Sequence, residues 1–111
     1  MYQLLHYLDD NGNDLYQRWL EGIRDRTGQV AIIRRVARME LGQFGDHKYL
    51  QDGIGELKID IGPGYRVYFG HVGKQVILLT SGGDKGSQSR DIKRAVKLFH
   101  DWERRNGQSA T

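Results

Sequence analysis

The chain has no cysteine. A disulfide scaffold, a thiolate metal site and a cysteine nucleophile are all excluded. Its single proline, Pro63, leaves only one point where a ring presets φ. No apolar run approaches the roughly 20 residues that span a bilayer. The N-terminal "MYQLLHYLDD" lacks a basic segment followed by an apolar core, so no signal peptide is expected. These absences point to a cytoplasmic protein without a membrane partner.

Charge and glycine are plentiful instead. Lys and Arg number 17 against 14 Asp and Glu, a formal net charge of +3. The excess is uneven: residues 1–55 carry seven basic against eight acidic side chains, and residues 56–111 carry ten against six. Such an asymmetry fits an anionic partner, often nucleic acid, and equally a solvated basic helix face. The 111 residues suit one domain with a single core.

The hydrophobic period changes along the chain. "YQLLHYL" (2–8) reads as a strand closed by "DDNGN". Asn13 or Asp14 can cap a helix in which Leu15, Tyr16, Trp19, Leu20 and Ile23 recur at helical spacing. "RTG" ends it, with Gly28 left-handed. A second helix is expected from about Gln29 to Leu41, stopped by Gly42, and the short link predicts a helical hairpin. "GELKIDIG" then alternates, with Leu57, Ile59 and Ile61 on one face and Glu56, Lys58 and Asp60 on the other. "GPGY" predicts a turn centred on Pro63 and Gly64. In "YRVYFG", Arg66 and Tyr68 share a face. "HVGK" turns again, and "QVILLT" is uniformly apolar, as a strand covered on both faces would be. The last segment, "SQSRDIKRAVKLFHDWERRNG", is helical, with Ile92, Ala95, Val96 and Phe99 inward and Ser87 or Ser89 as cap. The predicted class is α+β in the order β-α-α-β-β-β-α, with a domain over 1–106 and a short tail over 107–111.

Several chemistries find no support. His6, His47, His71 and His100 fall in no H-x-H or H-E-x-x-H spacing, so no metal or other cofactor is expected. No G-x-S-x-G elbow occurs. "SGGDKGSQ" is not a P-loop, because Lys85 precedes Gly86 rather than following the second glycine of the motif. Gly82 and Gly83 are expected to turn the chain sharply into the closing helix.

What remains is cationic. Lys58, Arg66 and Tyr68 project from the polar face of the meander, and Lys85 comes from the loop after it. Together they line one groove. Lys48, beside His47, and Arg90 are further candidates for RNA contact; Gln88 either touches a base or supports the helix start. RNA cleavage without a metal uses such a groove. The 2′-OH attacks its neighbouring phosphate, and forked Arg donors hold the charge. Lys58 is the candidate acceptor of the 2′-OH proton, and Tyr68 can stack on a base or donate a proton. The plainer reading pairs Lys58 and Arg66 with neighbouring acids such as Glu56 or Asp60.

"ELKIDIGPGYRVYF", followed by "ILLTSGGDKGSQSRDIKRA", closely resembles the RelE/ParE toxin superfamily of bacterial toxin–antitoxin modules, nearest its HigB-like addiction module killer protein branch. That branch shows an E-L-[RK]-[IV]-x-x-G-P-G-Y-R-[VI]-Y-[FY] segment and a later G-G-D-K-x-x-Q-x-x-D-I segment. Trp19, Leu20 and "GDHK" extend the likeness over nearly the whole domain. His47, Tyr49 and Gly86 depart from the branch pattern. The resemblance implies a single RelE-like domain, with a helical hairpin packed on a twisted antiparallel meander. It implies a cognate antitoxin, often of helix-turn-helix type. It implies translation inhibition by mRNA cleavage, commonly on the ribosome and without metal, by residues that correspond to Lys58, Arg66, Tyr68 and Lys85. The superfamily also holds ParE-like toxins that poison DNA gyrase and need no nuclease groups. A third alternative is an inactive chain that only docks the antitoxin. Oligomeric state stays open.

Overall fold

The structure, a computed structural model, describes residues 1–107. Its elements run β1 (Gln3–His6), α1 (Leu15–Glu21), α2 (Arg26–Met39), β2 (His47–Tyr49), β3 (Ile54–Ile59), β4 (Tyr65–Gly73), β5 (Val76–Asp84), a 3-10 turn (Lys85–Ser87) and α3 (Gln88–Asn106). The five strands form one mixed sheet in the order β1-β5-β4-β3-β2. β2 to β5 are an antiparallel meander, and β1 lies parallel to β5 at the far edge. The chain is thus an α+β fold, as its changing period predicts. The helix–meander–helix order is also as predicted, with two additions: the three-residue strand β2 and the parallel pairing of β1. No described helix is long and apolar enough to cross a membrane.

Each face of the sheet has its own cover. α1 and α2 bring Tyr16, Leu20, Ile32, Val36 and Met39 against Leu57, Val67, Phe69, Ile77 and Leu79. α3 brings Ala95 and Phe99 against Ile54, Tyr68 and Leu78 on the other side. Full burial of each large apolar side chain is worth about 1.5–3 kcal/mol, so both layers hold the fold. The apolar first half of β5 lies in the sheet interior, between β1 and β4, and is covered on both faces, in line with its composition.

Helix boundaries differ from expectation for identifiable reasons. Asp14 does cap α1, its Oδ1 accepting from the Gln17 N–H at 3.0 Å. The helix then ends early, at Gly22. Gly28 lies inside α2, where the Tyr65 ring presses on its backbone and leaves no room for a Cβ. Gly42 does follow α2 with φ +76°. The turn before β4 closes one residue earlier than predicted, with the Gly64 N–H donating to the Ile61 carbonyl at 3.0 Å. Ile61 therefore falls outside β3 and stays 37% exposed. Ser87 makes no side-chain cap bond to α3; Asp84 caps the 3-10 turn instead, in a reciprocal box with Ser87. Of the expected tail 107–111, Gly107 terminates α3 with φ +68°, and residues 108–111 lie outside the described residues.

Gly82 and Gly83 are not a turn. Both belong to β5, and neither has positive φ. Each is a point of close approach: a Cβ on Gly82 would collide with the Trp19 ring, and one on Gly83 with the Asp91 carboxylate. Neighbours in a strand face opposite ways, and a bulge before this pair decides which glycine takes which face. Tyr68 pairs with Ser81 and Phe69 with Leu79, which leaves Thr80 as the extra residue. Such an insertion resets the alternation downstream. Ser81 and Gly83 thereby join the α3 face, and Gly82 joins the face of α1 and α2.

Candidate functional site

Register brings the sequence candidates together. Lys48 of β2 pairs with Glu56 of β3, Glu56 with Tyr68 of β4, and Tyr68 with Ser81 of β5. In the next rung Lys58 pairs with Arg66 and Arg66 with Gly83. Residues directly opposite in a ladder share a face. All of these therefore stand on the side covered by α3. The 3-10 turn adds Lys85, and the first turn of α3 adds Gln88 and Arg90.

The alternation predicted which face these residues share, and α3 changes what that face is. Arg66 is buried and Tyr68 fully so. Tyr68 belongs to the apolar layer with Leu78 and Phe99, so its ring offers no platform to a base. Arg66 Nη1 donates to its neighbour's carbonyl, Tyr65 O, at 3.0 Å and lies 3.6 Å from Asp60 Oδ1. That acid is 68% exposed on its side chain, so the pair is wet on one side only. Lys58 is half-buried at the rim; Lys48 and Lys85 are exposed. The result is a layered arrangement, with exposed ammonium groups around a buried guanidinium. Lys85 is tied in by its backbone N–H, which donates to Gly64 O at 2.8 Å. A methyl on Gly64 would sit 3.4 Å from both Arg66 Nη1 and Lys85 Cβ, so the loop glycine borders both cations.

Glu56 was visible in the sequence only as an ion-pair partner. It is fully buried. Its Oε2 accepts from Gln88 Nε2 at 2.8 Å, which makes Gln88 a clamp between α3 and β3 rather than a free contact. The signal that would have exposed Glu56 is the length of the closing helix, which is enough to roof the meander. Four buried side-chain polar atoms lack a hydrogen-bond partner among the described residues: Glu56 Oε1, Arg66 Nε, Tyr68 OH and Ser81 Oγ. All four belong to these two adjacent rungs. Unsatisfied buried groups cost about 1–3 kcal/mol each, so their concentration here sets this patch apart from a folding core. Burial first, and the Glu56 carboxylate second, push the Tyr68 phenol well above the usual tyrosine range. That group stays protonated.

Solvent reaches the site beside the 3-10 turn. Lys85, Gly86, Ser87, Gln88, Ser89 and Arg90 line an open hollow of about 340 Å³. The Ser87 hydroxyl of this lining donates to the buried Asp91 carboxylate. Among the described residues no three His, Asp or Glu side chains converge as a metal site would need. His47 and His71, expected in loop and turn, lie in β2 and β4, where the Tyr49 hydroxyl and His71 Nε2 are 2.9 Å apart.

No family model matches the chain. The chain is similar to an uncharacterized protein of Haemophilus influenzae, with 41% identity over 83 residues that make up 75% of this chain and 84% of that relative. At that identity and coverage, the two share a fold and the chain belongs to the same family as the Haemophilus protein.

Proposed function

We propose that the chain is the toxin of a toxin–antitoxin module, of RelE-like topology, and that it cleaves mRNA without a metal. The observation that carries this reading is the in-register Lys58–Arg66 pair, flanked by Lys48 and Lys85 at one open rim. In the proposed reaction the 2′-oxygen attacks phosphorus and the bond to the 5′-oxygen breaks. The 2′-hydroxyl loses a proton, and the departing 5′-oxygen gains one. Lys58 and Lys85 reach the scissile phosphate. Arg66 adds fixed positive charge from below, where the lower dielectric makes it count for more. Glu56 and Gln88 hold the first turn of α3 against β3 and so fix the rim. The partners on this reading are mRNA on the ribosome and a cognate antitoxin, in the cytoplasm. An antitoxin that masks the rim with acidic residues loses affinity as salt rises.

The test is primer extension of mRNA in a translating extract. Wild-type protein gives discrete cleavage sites, and the Lys58→Ala/Arg66→Ala variant gives none. Cleavage that survives both changes removes the site assignment. The burial of Arg66 and Tyr68 favours a second reading: a ParE-like toxin that binds gyrase and needs no nuclease groups. DNA breaks in place of RNA cleavage support that one.

A further inference from the structure

The outer face of α3 carries a charge pattern that the fold does not need. Arg90, Lys93, Arg94 and Lys97 follow one another at i, i+3, i+4 and i+7, which places them along one side of the helix. All four are exposed. With Ser89 they line a shallow groove of about 560 Å³. Lys93, Arg94 and Lys97 enter no ion pair among the described residues, and Arg90 has only Asp91 at 3.9 Å. Asp91 is itself turned inward and buried.

Two physical effects oppose this arrangement. Like charges three and four residues apart on a helix repel. Cations near the N-terminal end also meet the positive pole of the helix dipole. The C-terminal half of the same helix shows the opposite habit. There Arg104 and Arg105 both pair with Asp101, at the end where the dipole favours cations. The N-terminal strip thus runs against local stability, and a bound polyanion would reverse both effects.

The groove shares Ser89 and Arg90 with the hollow beside Lys85. The strip is therefore continuous with the rim of the candidate site. None of its five lining residues is apolar, so it lacks the buried anchors on which protein partners depend. We infer that the outer face of α3 binds the phosphodiester backbone of single-stranded RNA and guides the strand toward Lys85. This rests on the proposed RNA target, but binding is measured apart from cleavage.

The probe is a fluorescent single-stranded RNA oligonucleotide with 2′-O-methyl groups, which lacks the attacking hydroxyl. Anisotropy is followed against salt for the wild type, for Lys93→Ala/Arg94→Ala/Lys97→Ala, and for Lys93→Arg/Lys97→Arg. Each phosphate contact to a single strand contributes about −0.7 to the slope of log affinity against log salt. Removal of three cations flattens the slope by about 2, so the affinity lost between ~50 and ~200 mM salt shrinks roughly 20-fold. The Arg variant keeps the wild-type slope. Thermal unfolding shows that the Ala variant folds, with a midpoint no lower than wild type. An unchanged slope in the folded Ala variant overturns the inference. So does tighter wild-type binding to duplex DNA of the same sequence. Failure of mRNA cleavage with the slope change intact counts against the proposed function and leaves the backbone site standing.

Discussion

Gly82 and Gly83 are neighbours in β5 that face opposite sides of the sheet, and each shows what its side is built from. Gly82 meets the Trp19 ring, and Gly83 meets the Asp91 carboxylate. The face under α1 and α2 is an apolar layer with Phe69 and Leu79 at its centre. The face under α3 mixes apolar contacts with Glu56, Arg66, Ser81 and Asp91, and it holds every buried unpartnered side-chain atom found among the described residues. One side of the sheet therefore supplies stability, and the other gives up part of it to hold charged groups in place. Proteins that break a folding rule at one patch and obey it elsewhere tend to carry their chemistry at that patch.

Substitutions test this division, and the largest effect belongs to the apolar side. Phe69→Ala empties a fully buried position and is expected to cost about 3–5 kcal/mol, read from urea midpoints. A loss under ~1 kcal/mol, as at a surface position, would erase the contrast. Lys58→Ala should do the reverse. It stands at a half-exposed rim, so stability should move by no more than ~0.5 kcal/mol. Its cleavage rate should fall by roughly 100- to 1,000-fold, as for the loss of one preorganised charge stabiliser.

The glycine pair gives a finer comparison. Gly82→Ala forces a methyl into the packed Trp19 ring, and overpacking of this kind costs about 1–3 kcal/mol. Gly83→Ala meets the Asp91 carboxylate and the Ser87 hydroxyl, two short polar side chains rather than a packed ring, so its cost should be the smaller of the two in the same melts. Equal costs would mean that the α3 face is as rigid as the other. Tyr68→Phe removes a buried hydroxyl without a partner and should leave stability unchanged or raise it by up to ~1 kcal/mol. A clear loss would reveal a hydrogen bond that the division does not include.

The smallest effect is one of pH. Partial desolvation beside the Phe44 and Phe69 rings, then the neighbouring His47, hold the otherwise exposed His71 below the ordinary histidine value, and its Nε2 meets the Tyr49 hydroxyl. In the unfolded chain the ring takes its proton near pH ~6.5; in the folded chain it resists until lower pH. The unfolded state binds more protons in that window, so stability falls as pH drops through it and is level above. Urea midpoints at neutral and mildly acidic pH should show a smaller acid loss in His71→Phe than in wild type.

The helical and meander segments were legible because their periods differ and because Leu57, Val67 and Phe69 mark a face whichever way they turn. What hid was tertiary. β2 is three residues long, too short for any period to show, and it exists only because β3 offers an edge. Gly28 reads as a helix stop until Tyr65, far along the chain, is known to rest on it. Alternation puts residues 56, 58, 66 and 68 on one face, as the β3–β4 register does, yet polar alternation suggests a wet surface, and the cover comes from α3, whose Gln88 lies 32 residues beyond Glu56. The bulge at Thr80 left no mark in composition at all. For the site, residue types and spacing picked out the exposed cations, whereas the role of Glu56 depended on burial that spacing does not encode.

Of the five strands of this sheet β1 comes first along the chain, and the strand it pairs with, β5, comes last. In a chain that leaves the ribosome N-terminus first, residues 3–6 wait without a hydrogen-bonding partner until the final strand emerges. Contacts between such distant segments form late compared with local hairpins. A nascent chain that lacks β5 and α3 has neither the strand that holds β1 in the sheet nor a roof over the Lys58–Arg66 rung, so whatever this site does waits for both elements.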